Sequence, residues 1–241
     1  MSQAIATSRV ASLPDLDGAR VVELSHTIVP GKEEYRLEVA TKPVAELLPD
    51  YKGKAPKGAW YVMSEVQHWS HVGTHMETAL HVIADGADIT SVTLDRAIGT
   101  CQLVDFTDKK VGEGITLAEL RERGAGIEVG DIVFVRTGHG HYRTAESHDR
   151  PYFEPEAIRW LAEDRKISLL GVDCSGIENR TAHGQPNHLM LFTHGIPLIE
   201  HLAHLDELRT NRFFVVAVPW RVVGLEASNV SVIAFEPRAE Q

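Results

Sequence analysis

Ser70-His71-Val72-Gly73-Thr74-His75-Met76-Glu77-Thr78-Ala79-Leu80-His81 places three histidines and a carboxylate within eleven positions. No packing requirement produces that density of nitrogen and oxygen donors, and the stretch reads as a metal site. His71, His75, Glu77 and His81 are all odd-numbered, so on an extended chain, where successive side chains alternate faces, they project to one side. A helix does this less well, because Glu77 would lie about a third of a turn away from His71. The spacing therefore predicts a strand end or extended loop, with Gly73 letting the backbone take unusual angles or approach an ion closely.

Imidazole and carboxylate together are a common ligand set for Zn²⁺, and they also suit Mn²⁺ or Fe²⁺. The residues do not choose among these ions. His81 reads either as a further ligand or as a proton acceptor just outside the metal, since histidine exchanges protons near neutral pH.

His71-x-Gly-Thr-His75-x-Glu77-x-x-x-His81 resembles the signature H-x-G-T-H-x-D-x-P-x-H of the cyclase-like metal-dependent hydrolases, the family of bacterial kynurenine formamidase and isatin hydrolase. The resemblance extends to Val22-Glu23-Leu24-Ser25-His26, to Gly171-Val172-Asp173-Cys174-Ser175, to the run from Asn187 through Leu208 and to Val218-Pro219, spanning residues 20 to 235. It implies that His71, His75 and Glu77 bind metal and that His81 acts in catalysis. In the formamidase branch a downstream histidine and a glutamate twelve residues later hold a second metal, and His188 and Glu200 stand in that relation. Read from the residues alone, Glu200 lies in an apolar stretch, where an ionised carboxylate is costly unless a cation or hydrogen bonds compensate it. The alternative is a solvated residue at the start of a helix.

The strand and helix patterns given below indicate an α/β fold with a mixed sheet, and the family resemblance implies that it is a swivelling β/β/α-type single domain with a barrel-like central sheet. The resemblance also implies a homodimer or homotetramer whose neighbouring subunits supply pocket walls, a purpose the segment Gly31 to Gly58 could serve. Three positions depart from the pattern. Glu77 replaces aspartate and moves the carboxylate outward by about a bond length, Leu80 replaces a proline ahead of His81, and His201 replaces an asparagine after Glu200.

The leading functional expectation is hydrolysis of an amide or cyclic amide C–N bond, in an aryl formamide or isatin-like lactam, by metal-activated water with one or two Zn²⁺ or Mn²⁺ ions. The alternatives are a metal-dependent lactonase, a cyclase or dehydratase on a small carbonyl substrate, and a non-catalytic metal-binding homologue. Trp60, Tyr61 and Trp69 flank the motif and are candidates for stacking on an aromatic substrate, or for core packing. Thr137-Gly138-His139-Gly140-His141 reads as a surface loop rather than a ligand loop, having no carboxylate nearby in sequence.

The remaining chemistry fits a small-molecule enzyme. A chain of 241 residues with 43% hydrophobic content buries a substantial core, expected as one domain over residues 19–241 behind an N-terminal arm at 1–18. A net charge of −10 without a lysine or arginine block argues against a nucleic-acid surface. Cys101 and Cys174 are the two cysteines, both in strand-like apolar contexts that suit reduced thiols in the cytoplasm. No apolar stretch approaches a membrane span, and none resembles an export signal.

Strands are expected at Arg20 to Leu24, Gly99 to Phe106, Asp131 to Arg136, Ile167 to Val172, Arg212 to Val218 and Val230 to Phe235, from their Val, Ile, Leu and Phe content. Thr116-Leu117-Ala118-Glu119 has capping-box spacing and opens a helix ending at Gly124. A second helix starts at Glu154-Pro155 and runs through Ala162.

Overall fold

The β-branched and aromatic runs form the strands that their composition predicts. The structure, a computed structural model, describes residues 16–48 and 61–237. The expected arm lies almost wholly outside the described residues, as do Trp60 and residues 49–58 of the long polar segment. The first half of the chain forms β1 (Arg20–Glu23), β2 (Leu37–Pro43), α1 (Val44–Leu47), β3 (Val62–His68), β4 (His75–Glu77), α2 (Leu94–Ala97), β5 (Ile98–Asp105), β6 (Gly114–Ile115) and α3 (Leu117–Arg123). The second half forms β7 (Ile132–Arg136), β8 (Tyr152–Phe153), α4 (Pro155–Arg159), β9 (Leu169–Val172), α5 (Pro186–Thr193), β10 (Leu198–Glu200), β11 (Arg212–Pro219) and β12 (Ala227–Glu236).

Both expected helices are present, with their local signals in use. At α3, Thr116 Oγ1 accepts from the Glu119 amide at 3.3 Å and Glu119 Oε2 accepts from the Thr116 amide at 3.0 Å, the reciprocal capping box. Pro155 opens α4, and a π-helical turn over Trp160–Asp164 continues it.

The main sheet runs β1-β12-β11-β5-β7-β9-β10-β4, and β4 also pairs with β12, so all but β1 close into a ring. Strands β5, β7, β9 and β10 are mutually parallel, while β11, β12 and β4 are antiparallel to their neighbours, which makes the barrel mixed. Side-chain alternation divides the core. Cys101, Leu103, Ile132, Phe134, Val215, Ala217, Val232 and Ala234 fill the ring with Met76 and Ile199. Val133, Val135, Leu170, Val172 and Leu198 point the other way and pack beneath Leu120, Ile158, Leu161 and Leu191 of the helical layer. Coverage on both faces explains why Ile132-Val133-Phe134-Val135 is apolar without interruption.

Gly171 on β9 shows how tightly the ring is filled. A Cβ there would stand 2.6 Å from Phe134 Cδ1 and 2.8 Å from Leu202 Cδ1, closer than packed carbons approach. Gly171→Ala should therefore destabilise the fold by about 1–3 kcal/mol, the usual cost of overpacking. Urea unfolding would measure it, and an unchanged midpoint would contradict the packing argument.

Candidate metal centre

β4 carries His75 and Glu77 on one face and Met76 on the other. Its antiparallel register sets Glu200 of β10 opposite His75 and Leu198 opposite Glu77. Directly opposed residues share a face, so the pairing itself brings Glu200 beside His75 on the side away from Met76 and Ile199. Helix α5 then delivers His188 over the same face.

The motif is not extended along its whole length, contrary to the alternation reading. Only His75 and Glu77 share a strand; His71 lies in the preceding turn, where Gly73 takes φ +70°, and His81 lies on a 3-10 turn over Ala79–His81. A side chain at Gly73 would run into Ile28, so glycine is required for both its angle and its neighbour. Beyond β4, the His81 amide donates to Thr78 O and the Leu80 amide to Ala87 O, each at 3.0 Å. The chain thus curls around Glu77, and the donors converge on it rather than lining up.

The convergence is close. Glu77 Oε1 lies 3.0 Å from His71 Nε2, 3.4 Å from His75 Nε2 and 3.8 Å from His81 Nε2, while its Oε2 lies 3.4 Å from His188 Nε2. Glu200 is 3.7 Å from both His75 Nε2 and His188 Nε2. Two sets of potential ligand atoms share Glu77, namely His71, Glu77 and His81, and His75, Glu77 and Glu200. All six candidate residues are brought together. The sharing differs from the partition that the resemblance implied, since His75 groups with Glu200 and His71 with His81. Glu200 itself ends a buried strand, which removes its reading as a solvated helix start.

Proton positions test whether a cation fits. His75 Nδ1 lies 2.9 Å from Gly73 O, and His188 Nδ1 lies 3.0 Å from Glu178 Oε1. A carbonyl and a carboxylate accept only, so each Nδ1 carries a proton, and in its neutral form each ring turns a lone pair at Nε2 toward Glu77 and Glu200. Lone pair facing carboxylate is repulsive unless positive charge lies between them. Consistently, His71 Nε2, His75 Nε2 and Glu77 Oε2 are buried without a hydrogen-bond partner. The donors fit a divalent metal ion.

Titration behaviour carries the same message. Burial pushes Glu77 upward, but the close approach of the His188, His71 and His75 imidazoles outweighs it and holds the carboxyl well below its ordinary range. Burial works to lower His188 and His75. The carboxylates prevail: Glu178, Glu200 and Glu77 raise His188 well above its usual value, and Glu77 with Glu200 raises His75. A pocket that retains protons on these imidazoles is one that seeks positive charge. His81, on the more open side with its side chain 24% exposed against 2% for His75, is lowered, chiefly by burial.

Glu178 has no counterpart in the sequence reading. Its Oε1 accepts from the Asn187 amide at 2.7 Å, the His188 amide at 2.9 Å and His188 Nδ1, fixing both the start of α5 and the ring it carries. No spacing rule links an acid in a loop to a helix ten residues on. His201 belongs to neither donor set; burial and then His75 lower it to about 3, so the ring stays neutral. Among the described residues His139 and His141 join no such set either.

The model of the Cyclase family, described as putative cyclase, matches residues 22–179. The chain belongs to the Cyclase family. Kynurenine formamidase of Delftia acidovorans is 29% identical over 164 residues, 68% of this chain and 75% of that protein. A solved structure described as a potential metal-dependent hydrolase with cyclase activity matches at 26% identity and a TM-score of 0.72, over 92% of this chain and 100% of that one. Isatin hydrolase A from Labrenzia aggregata shares the fold, with a TM-score of 0.74 at 21% identity over 91% of this chain and 94% of that one. His188 and Glu200 lie beyond the matched family segment and reach the site through α5 and the β4–β10 pairing.

Adding Zn²⁺ or Mn²⁺ to chelator-stripped protein should raise its melting temperature, because a ligand that binds only the folded state stabilises it by about 2.7 kcal/mol at a hundredfold excess over Kd. Glu77→Gln should abolish that gain. A melting curve indifferent to both ions would contradict the metal reading.

Proposed function

We propose that this chain hydrolyses the C–N bond of a linear or cyclic amide, an aryl formamide or an isatin-like lactam, with Zn²⁺ or Mn²⁺ held by His71, His75, Glu77, His188 and Glu200. The observation that carries the reading is the sharing of Glu77 by two donor sets, one within the motif and one that takes in Glu200 from the distant strand β10. Relatives named kynurenine formamidase and fold neighbours named isatin hydrolase support the choice of bond. A divalent cation held there supplies Lewis acidity toward water and toward the carbonyl oxygen on which negative charge develops.

The chain's own residues do the rest. His81 lies at the open edge of the cluster, and its burial keeps the ring neutral near pH 7, the form in which Nε2 accepts a proton from attacking water. The same proton is then available to the departing nitrogen, which needs it to leave as an amine. Val72, Thr74, His75 and Glu77 are buried beneath the reaction face and exclude bulk water from its floor. An aromatic part of the substrate has a place in a groove of about 390 Å³ whose walls include Trp69, Ser70 and Trp220, Ser70 being the residue that precedes His71. Trp69 stacks on Tyr35 with ring centres 5.5 Å apart.

We further propose a homodimer or homotetramer. Among the described residues strands β2 and β3 pair only with each other, and the opposed Val39 and Val66 are 46% and 54% exposed. A two-stranded ribbon is marginal in water, and a second subunit against this face would cover it. Two free buried thiols, Cys101 and Cys174, accord with a cytoplasmic setting, and no described helix is long and apolar enough to cross a membrane.

Purified protein should carry Zn or Mn by elemental analysis and should turn over N-formyl-aryl amides or isatin-like lactams, with activity lost on chelation and restored by the ion. Activity unaffected by chelation would exclude the mechanism. His81→Ala should lower kcat by about 10²–10⁴-fold, the usual contribution of general acid–base catalysis, while leaving most of the bound metal in place. For the assembly, sedimentation at micromolar concentration should show a dimer or tetramer that Val39→Asp with Val66→Asp dissociates, and a monomeric parent protein would refute it.

A further inference from the structure

Glu226, in the turn ahead of β12, is bound to the metal motif twice. Its backbone carbonyl accepts from the Thr78 amide and from Thr78 Oγ1, both at 2.9 Å, and so fastens the end of β4 through the main chain. Its side chain does something separate. Ser70 Oγ donates to Glu226 Oε1 at 2.5 Å and also lies 3.0 Å from His71 Nδ1, with Glu226 Oε1 itself 3.6 Å from that nitrogen.

A hydroxyl carries one proton, and a carboxylate has none to give. The Ser70 proton therefore points at Glu226, and Ser70 Oγ meets His71 Nδ1 with a lone pair. His71 Nδ1 must be the donor. That assignment leaves the lone pair at Nε2, which lies 3.0 Å from Glu77 Oε1 and is buried without a partner.

We propose that Glu226, acting through Ser70, is a positioning residue that holds His71 as an Nε2 donor and thereby sets the affinity of the outer metal position, where His71 and Glu77 meet beside the proton acceptor His81. The proposal rests on the metal reading of the site. It also predicts an order of affinity. The inner donors are oriented by buried acceptors: Gly73 O for His75 and Glu178 for His188. His71 is instead oriented through a hydroxyl by a carboxylate whose side chain is 31% exposed. A softer support on a more open ligand makes the outer ion the weaker and more exchangeable of two. Neither Ser70 nor Glu226 belongs to a donor set, and the main-chain bonds of Glu226 to Thr78 survive any change of its side chain.

The test is Zn²⁺ titration of the chelator-stripped full chain in competition with a chromophoric chelator. The wild-type protein should show a tight and a weaker class of Zn²⁺. Glu226→Ala and Ser70→Ala should each weaken the weaker class by about 10–100-fold, the usual effect of losing a residue that orients a ligand. The tight class and the urea midpoint of the metal-free protein should stay put. Glu226→Gln, whose amide oxygen still accepts from Ser70, and Ser70→Thr should recover most of the loss. Two wild-type classes that neither alanine variant alters would overturn this proposal and leave the metal reading intact. Equal weakening of both classes with a lowered metal-free midpoint would also overturn it, by showing a structural role. A wild-type protein that takes up no Zn²⁺ would overturn the metal reading and this proposal together.

Discussion

Closure of the barrel through β4 is the constraint on which the site depends. This three-residue strand is the link between β10 and β12, and its inner residue Met76 packs into the ring while His75 and Glu77 look outward. A slip of one residue in that pairing would drive two polar side chains into the apolar ring and turn Met76 to the site. The hydrophobic interior therefore enforces the register that the ligands need. Folding of the ring and assembly of the donor cluster are one event.

Assembly on these terms concentrates negative charge. Glu77, Glu178 and Glu200 are all buried around three imidazoles, and without compensation that arrangement is expensive. Protons on the histidines supply part of the compensation in the metal-free protein, as the raised His75 and His188 show. A divalent ion supplies it better, because it satisfies several lone pairs at once and frees the rings to remain neutral. The same electrostatics makes the site selective for cations over neutral ligands.

Much of this was legible in the sequence, for identifiable reasons. Strands β5, β7, β9, β11 and β12 are buried on one or both faces and so announce themselves as Val, Ile, Leu and Phe runs. Four of the ligand candidates were legible because three histidines and a carboxylate within eleven positions have no packing cause, while His188 and Glu200 were legible only through the family resemblance. What escaped was whatever is decided by tertiary context. Helix α5 carries the buried polar pair Asn187 and His188 in its first turn, which blurs its apolar face. Strand β10 is three residues long and too short for a periodicity to register, and at β4 the expected extended stretch is confined to His75–Glu77. The ribbon of β2 and β3 is exposed along almost its whole length and has no apolar face to read. The curl at Gly73 was readable only as a permission. Glu178 and Glu226 act across loop connections, where no periodicity operates.

The departures from the family pattern make sense together. At position 77 the longer side chain places one oxygen among His71, His75 and His81 and the other toward His188. A shorter acid on the same backbone would draw back by about a bond length, and His188 could not follow, because Glu178 pins both its amide and its ring. At position 80, leucine keeps an amide that donates to Ala87 O, a bond that proline would forfeit. That bond holds the 3-10 turn bearing His81 against the loop at Gly86, where a Cβ would meet Ala79 backbone at 2.6 Å. Where proline would fix the turn through its own ring, this chain fixes it by a hydrogen bond and a glycine contact. The position of His81 therefore rests on packing from outside the motif, and the motif can lose its proline without losing the geometry.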